Sequence, residues 1–307
     1  MSSTPTPFPI GTPGVPWTTA DRVAWRASVP KRRSYVDEVV SAIERLASRF
    51  EIVSYGALDY GGDGRFPLLL LKSRGWVDGL PIAMVTGGVH GYETSGVHGA
   101  LRFAERDAST FEGRLNLLIA PCVSPWSYER IQRWNPDAVD PNRSFKPGGA
   151  AAEASLLMAY VAPYRGRFLA HLDLHETTDS DESEFRPALA ARDGKPFEPG
   201  EIPDGFYLVD DAANPQLGFQ QAIIRAVEAV THIAEADDQG RLIGEPLQSR
   251  GIVNYDAKPL GLCVALTGAR FTTTTEVYPD SPRSTPAQCN EAQATAVRAG
   301  FEFALGS

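Results

Sequence analysis

The sequence predicts a single α/β domain with a mixed, mostly parallel, twisted sheet and helices on both faces. Apolar runs that fit buried strands alternate along the chain with segments of helical periodicity. The chain has 307 residues and 43% hydrophobic content, which is enough to bury a large core. It contains no internal repeat, low-complexity tract or interdomain linker, so one domain is expected.

Two segments are distinguished along the chain. Prolines at positions 5, 7, 9, 13, 16 and 30 fix φ and remove donors. Residues 1–30 are therefore expected to form an extended arm, lying on the domain or mobile, before a domain spanning 31–307. Within the domain, the patterns predict a helix from Ser34, further helices over 93–106, 151–162, 216–236 and 286–305, and strands over 51–57, 67–72, 81–86, 115–120, 168–174, 206–210 and 271–278.

Composition indicates which kinds of partner and which cellular compartment to expect. A net charge of −9 argues against a nucleic-acid partner. The three cysteines are odd in number and lack Cys-x-x-Cys spacing, which favours reduced thiols and a cytoplasmic protein. No signal peptide and no run of about 20 apolar residues is present, so no membrane association is expected. The sequence leaves the oligomeric state open.

The first candidate ligands are His90 and Glu93. They belong to Gly87-Gly88-Val89-His90-Gly91-Tyr92-Glu93, directly after the apolar run 81–85. Glycine lets the backbone bend sharply at a strand end, and parallel sheets hold ligands at such ends. The alternative is an ordinary helix N-terminus with a glutamate favoured by the helix dipole.

The second histidine ligand is expected to be His175, which closes the apolar run 168–174. Strand alternation places His171, Asp173 and His175 on one face, where Asp173 could orient the ring of His175. Two imidazoles and one carboxylate at strand ends predict one zinc ion with an open fourth position, as in catalytic zinc sites.

Other histidines are expected to be structural. His171 lies deeper in its strand, and His98 lies within a helix. A second His-x-x-Glu pair, His232 and Glu235, lies inside a helical pattern with no strand or glycine turn before it. We expect that pair to form an exposed helix face.

Over about residues 35–305 the motifs resemble the zinc carboxypeptidases, the carboxypeptidase A-like metallopeptidases, which bind zinc through His-x-x-Glu and a distant His. The run 124–135 resembles the loop that supplies an arginine to the scissile carbonyl; Arg133 fits this role best, with Arg130 as the alternative. The segment 139–145 resembles the Asp-x-Asn-Arg segment. There Asn142 and Arg143 would bind the terminal carboxylate, and Asp140 would support the first zinc histidine.

The late strand 272–276 resembles the one that ends in the catalytic glutamate, so Glu276 is the implied general base. Tyr255 lies near the position of the family's mobile tyrosine, with Tyr207 and Tyr278 as alternatives. The resemblance implies a zinc metallocarboxypeptidase that hydrolyses the C-terminal peptide bond with metal-activated water. Arg133 would stabilise the oxyanion, and Arg143 would clamp the free carboxylate.

Two other functions remain open. The run Asp173 to Thr178 is closer to the succinylglutamate desuccinylase and aspartoacylase branch, which deacylates small N-acyl amino acids. Those relatives usually carry a further domain after the catalytic glutamate, whereas 31 residues follow Glu276, which favours a peptidase. The other alternative, a binding protein without catalysis, is opposed by the intact ligand set and Glu276.

The acidic run Asp179, Asp181, Glu182 and Glu184 follows His175 closely. It is expected to be a solvated loop, with contact to basic substrate side chains as the alternative.

Overall fold

The computed structural model describes residues 8–307. Its main sheet has eight strands in the order β1-β2-β4-β3-β5-β10-β6-β9, and β7 and β8 form a separate small hairpin. The strands are β1 (Phe50–Asp59), β2 (Arg65–Ser73), β3 (Ile82–Gly87), β4 (Asn116–Ala120), β5 (Phe168–Glu176), β6 (Tyr207–Asp211), β7 (Arg241–Leu242), β8 (Glu245–Pro246), β9 (Ile252–Tyr255) and β10 (Phe271–Val277).

The sheet is mixed, with a parallel centre. Strands β4, β3, β5 and β10 pair in parallel, and β6 pairs in parallel with β9. Pairs β1/β2, β2/β4 and β10/β6 are antiparallel. Every residue of β3 and β4 is buried, as expected for central strands covered on both sides. The predicted mixed, mostly parallel α/β sheet is confirmed.

The helices pack around this sheet. Helices α3, α7 and α9 pack together beside the central strands, with Gly300 of α9 against Leu172 of β5. The helices are α1 (Thr19–Ser28), α2 (Ser41–Arg45), α3 (Thr94–Arg106), α4 (Pro125–Arg130), α5 (Ala152–Val161), α6 (Arg186–Asp193), α7 (Leu217–Val227), α8 (Ala257–Leu260) and α9 (Pro286–Leu305), with short π- or 3-10 turns between several of them.

The N-terminal segment differs from the extended arm expected over residues 1–30. Residues 19–28 form α1, because Thr18 and Asp21 cap each other's backbone N–H groups in a capping box. Trp17 and Trp25 are buried, and Trp17 meets Trp134 edge to face with centroids 6.1 Å apart. Aromatic burial therefore holds this segment on the domain, while the prolines at 5 and 7 lie outside the described residues.

The helix expected over 216–236 is shorter, because α7 ends at Val227. Beyond it, Phe206 donates to the carbonyl of His232 and accepts from the N–H of Ala234. This strand-like pairing buries Ile233 and Ala234, and it outweighs the helical pattern. The expected exposed helix face at 232–235 is therefore wrong.

Two further features are the state of the cysteines and the character of the helices. Cys122, Cys263 and Cys289 are free and buried. Among the described residues, none of the helices combines the length and apolar character that crossing a bilayer requires.

Candidate active site

A tight turn after β3 sets the position of His90. Gly88 adopts φ 57°, a left-handed conformation that glycine tolerates. Gly91 faces the backbone of α4, where an added Cβ would lie 2.0 Å from the carbonyl carbon of Ser127. The glycines therefore allow the chain to turn closely against α4, and His90 and Glu93 share one side of that turn.

Two imidazoles converge on the carboxylate of Glu93. Nδ1 of His90 lies 2.6 Å from Oε1, and Nδ1 of His175 lies 2.6 Å from Oε2. The contact with His175 lacks hydrogen-bond alignment, and Oε2 has no hydrogen-bond partner among residues 8–307. All three side chains are buried, and their candidate ligand atoms lie within 4.8 Å of one another.

The other ring nitrogens are held by carboxylates. Nε2 of His90 lies 3.0 Å from Oδ1 of Asp140, and Nε2 of His175 lies 2.7 Å from Oδ2 of Asp173. Thr86 donates to Asp173 at 2.6 Å and so fixes that carboxylate. Such outer carboxylates set ring orientation in metal sites and leave the opposite nitrogen for the ion.

The arrangement fits a metal ion. Two imidazole nitrogens and one carboxylate oxygen, buried and mutually close, form a donor set that first-row divalent metals take. Oε2 of Glu93 is buried and faces Nδ1 of His175 without an aligned hydrogen bond, and a cation bound between the two would satisfy both atoms. His90, Glu93 and His175 can therefore hold one ion.

The pKa values of Glu93 and His175 shift in opposite directions because the two side chains face each other. Burial alone would raise the pKa of Glu93, but the facing imidazoles of His175 and His90 lower it to about 2. Burial would lower the pKa of His175, whereas Glu93 and Asp173 raise it well above its ordinary value. In the absence of a metal, the carboxylates thus hold a proton on His175, and a metal ion would have to displace it.

A cleft of about 810 Å³ opens onto this group. Of the residues predicted from the sequence, it is lined by His90, Glu93, Arg133, Asn142, Arg143, His175, Tyr255 and Glu276. Arg130 does not line it. Its guanidinium pairs with Asp63 at 3.2 Å and lies over the ring of Trp126. Arg133 is therefore the arginine of this loop that reaches the cleft.

Glu276 lies beside His175, because the two are register partners on the parallel strands β10 and β5. Its Oε2 accepts from Thr177 at 3.1 Å, and the Thr177 hydroxyl also bonds the hydroxyl of Tyr207 at 2.6 Å. Burial raises the pKa of Glu276 to about 8, and the charge of Glu93 contributes to this shift. Near neutral pH the carboxyl can therefore both accept and release a proton.

Arg133 is half-buried and anchored on one side. Its Nε donates to Oδ2 of Asp140 at 3.2 Å, and its Nη1 donates to the hydroxyl of Tyr92 at 3.1 Å and to Asp181 at 3.4 Å. Nη2 makes no hydrogen bond within the described part of the chain. One donor thus remains for a group in the cleft.

Arg143 and Asn142 differ in how free their side chains are to bind a ligand. Arg143 is exposed, and among residues 8–307 no carboxylate forms an ion pair with it; its Nη1 donates to the carbonyl of Asn142 at 2.7 Å. The amide of Asn142 is buried, and its Oδ1 accepts from the N–H of Cys263 at 2.7 Å. Arg143 is therefore the freer of the two for a carboxylate ligand.

The three candidate tyrosines occupy different places. Tyr255 and Tyr207 both line the cleft, but Tyr255 is half-buried, whereas Tyr207 is buried and bonded to Thr177. Tyr278 bonds Asp179 at 2.6 Å and does not line the cleft. Tyr255 is thus the tyrosine that is both in the cleft and partly accessible.

Asp181 and Tyr92 also line the cleft; Tyr92 was not predicted, and Asp181 was expected in a solvated loop, with contact to substrate only as the alternative. Asp181 is buried, not solvated as expected, because it accepts from the N–H of Thr178 and the hydroxyl of Tyr92. The spacing Thr178-x-x-Asp181 is a local capping pattern that could have indicated this turn. Nothing in the sequence around Tyr92 pointed to its contact with Arg133.

No family model matches the sequence, and no curated protein matches it either. Solved structures do match. A Shewanella amazonensis protein provisionally named a metallopeptidase is 22% identical, with a TM-score of 0.64 over 88% of this chain and 91% of its own. Carboxypeptidase A from Helicoverpa armigera is 14% identical, with a TM-score of 0.58 over 94% of this chain and 80% of its own.

A metallo-carboxypeptidase from Pseudomonas aeruginosa, solved with (2-guanidinoethylmercapto)succinic acid, is 15% identical, with a TM-score of 0.57 over 88% of this chain and 69% of its own. At these identities the likeness concerns the fold. The chain has the fold of the metallo-carboxypeptidases, as the sequence predicted.

Proposed function

We propose that this protein is a zinc metallocarboxypeptidase that hydrolyses the C-terminal peptide bond of a peptide. The observation that carries the proposal is the convergence of Nδ1 of His90 and Nδ1 of His175 on Glu93, in a cleft that also holds Glu276 and Arg143. The shared fold supports it.

The donor set favours zinc, which takes two histidines and one glutamate in hydrolytic sites with one position left open. When bound, the ion would supply polarisation of the scissile carbonyl and a water whose pKa is lowered to about 7. His90, Glu93 and His175 would hold it, and Asp140 and Asp173 would keep the rings oriented.

Glu276 is the proposed proton carrier. It would take a proton from the attacking water and later give it to the leaving amine, and its burial, which raises its pKa, favours uptake of that proton. Thr177, which donates to Oε2, would hold the carboxyl in place.

Two arginines act on the substrate in this proposal. The free Nη2 of Arg133 would donate to the oxyanion that develops on the carbonyl oxygen, a contribution of about 2.7–4 kcal/mol for one donor in other enzymes. Arg143 would bind the free α-carboxylate through two parallel hydrogen bonds, with Tyr255 close to the same substrate. Such a clamp selects a chain end.

The test is a metal assay coupled to a substrate panel. Purified protein should contain about one zinc per chain, and it should release the last residue of blocked dipeptides and longer peptides. N-acetyl and N-succinyl amino acids form the second half of the panel. Turnover of those acyl amino acids without peptide cleavage would replace the carboxypeptidase with a deacylase, and absence of stoichiometric metal would remove the zinc centre.

A further inference from the structure

Two arginines from distant segments meet at one carbonyl on the wall of the cleft. Arg22 of α1 donates through Nη1 to the carbonyls of Asp137, at 2.8 Å, and Ala138, at 3.4 Å. Arg192 of α6 donates through Nη1 to the same carbonyl of Ala138 at 3.0 Å. Both side chains line the cleft, so the N-terminal segment contributes to its wall.

The charge of this pair is only partly neutralised. Arg192 bonds Asp193 through Nε at 2.8 Å, whereas Arg22 has no ion-pair partner among residues 8–307, and residues 1–7 contain no Asp or Glu. Nε and Nη2 of Arg22, and Nη2 of Arg192, make no hydrogen bond in the described part of the chain. Two adjacent guanidinium groups with one carboxylate favour a second anion between them.

The pair is held in a fixed geometry. Ala138 has φ 56°, an uncommon left-handed conformation for a non-glycine residue. Oδ1 of Asn135 accepts from the N–H groups of Asp137 and Val139 on either side of Ala138 and so holds this turn. The guanidinium of Arg192 lies over the ring of Trp134, 4.6 Å from its centroid. The free donors are therefore pre-positioned.

The pair also lies close to the candidate metal group along the chain. Ala138 is two residues before Asp140, whose carboxylate bonds His90. The backbone of these two residues spans at most about 7 Å, and both arginines line the same cleft as the candidate metal group. A side chain of a peptide bound along this cleft can therefore face the two arginines.

We propose, resting on the carboxypeptidase function proposed above, that Arg22 and Arg192 form a subsite for a carboxylate side chain of the substrate. The subsite takes an Asp or Glu one or two residues N-terminal to the cleaved bond, so the preferred substrates are acidic peptides. The charge-assisted bonds of a guanidinium pair supply the attraction that a protein of net charge −9 otherwise lacks for such peptides.

The experiment uses matched peptides that carry Glu, Gln or Lys one or two residues before the cleaved bond and are otherwise identical. For the native enzyme, kcat/KM should be about ten-fold or more higher for Glu than for Gln, as expected for a hydrogen bond to a charged group, and lowest for Lys. Added salt should reduce the Glu-to-Gln ratio, because the cleft is open to screening ions.

The variant Arg22→Gln should bring the Glu-to-Gln ratio close to 1, and Arg22→Lys should restore part of it. Arg225→Gln is the matched control, since Arg225 is exposed, lies outside the cleft and loses the same charge; it should keep the native ratio. Thermal unfolding of each variant shows that it is folded. A ratio that is unchanged in folded Arg22→Gln overturns the subsite.

The outcomes separate this inference from the proposed function. If the native enzyme cleaves Glu and Gln peptides equally well, the subsite is wrong and the carboxypeptidase stands. If it cleaves no peptide, the proposed carboxypeptidase function is wrong. The subsite is then tested by binding: a fluorescent Glu peptide and its Gln counterpart are each titrated with the native protein and with Arg22→Gln. Equal binding of both peptides to the native protein overturns it.

Discussion

Nε2 of His90 lies 3.0 Å from Oδ1 of Asp140, a residue 50 positions later in the chain. The second oxygen of the same carboxylate accepts from Nε of Arg133 at 3.2 Å. One half-buried side chain thus orients a candidate metal ligand and the arginine proposed to stabilise the oxyanion. Burial alone would raise the pKa of Asp140, but Arg133 and His90 hold it well below its ordinary value, so Asp140 stays ionised.

Replacing this carboxylate should weaken metal binding. We expect Asp140→Asn to lower zinc affinity about 10–100-fold, because the amide loses the charge that supports the imidazole. Competition with a chelator measures this without reference to activity. Asp137→Asn is the matched control, since that side chain is exposed and forms no ion pair in the described chain. Equal affinities of both variants and the native protein would argue against support through Asp140.

Glu276→Gln should separate metal binding from turnover. The amide cannot take a proton, so kcat should fall about 10²–10⁴-fold while zinc stoichiometry stays at the native value. Steady-state kinetics and metal analysis on the same preparation check both. Glu201→Gln, at an exposed position outside the cleft, should retain native kinetics. Substantial turnover by Glu276→Gln would exclude Glu276 as the base.

Arg143→Lys should mainly weaken substrate binding. A lysine keeps the charge but cannot form the two parallel hydrogen bonds of a guanidinium, so KM should rise about ten-fold or more. The loss should disappear for a substrate whose terminal carboxylate is replaced by an amide. An unchanged KM for the carboxylate substrate would contradict the clamp.

Glu153 should make stability depend on pH. It is buried on α5, and burial raises its pKa to about 7 from an ordinary 4.5. Because the folded state holds this proton more tightly, stability is lost as pH rises from about 4.5 through 7. Glu153→Gln should therefore match the native protein near pH 4.5 and exceed its free energy of unfolding at pH 8, by about 3 kcal/mol at most.

Urea unfolding of both proteins across this pH range measures the difference. Exposed Glu112→Gln, which changes the same charge, should show no such divergence. If the free energies of unfolding of Glu153→Gln and the native protein differ by the same amount at every pH, Glu153 is not the source of the pH dependence.

Gly91→Ala should destabilise the fold next to the site. The added Cβ would meet the backbone of Ser127 and Tyr128 at about 2 Å, and backbone cannot move aside as a side-chain end can. We expect a loss of about 1–3 kcal/mol or more, measured by urea unfolding. Gly62→Ala, where nothing lies within 4 Å of the added atom, should change stability little. Equal stabilities would mean that this contact is not tight.

The sequence by itself determined the α/β class and most of the elements. Long periodic segments such as 286–305 and buried apolar runs such as β3 were predictable, because burial imposes a periodicity that is visible locally. Among the expected ligands, His90 and Glu93 follow the end of β3 and His175 is the penultimate residue of β5, and parallel strands bring such ends together.

Tertiary structure decided what no local pattern encodes. Helix α7 stops at Val227 because Phe206 pairs with the segment beyond it, and Arg130 turns to Asp63 while Arg133 turns to the cleft. The burial of Asp181 depends on Tyr92, 89 residues away, and the approach of Arg22 to Arg192 depends on the carbonyl of Ala138, to which both guanidinium groups donate. These contacts join residues that are far apart in sequence, and their free energy arises only once the whole sheet and its loops have assembled.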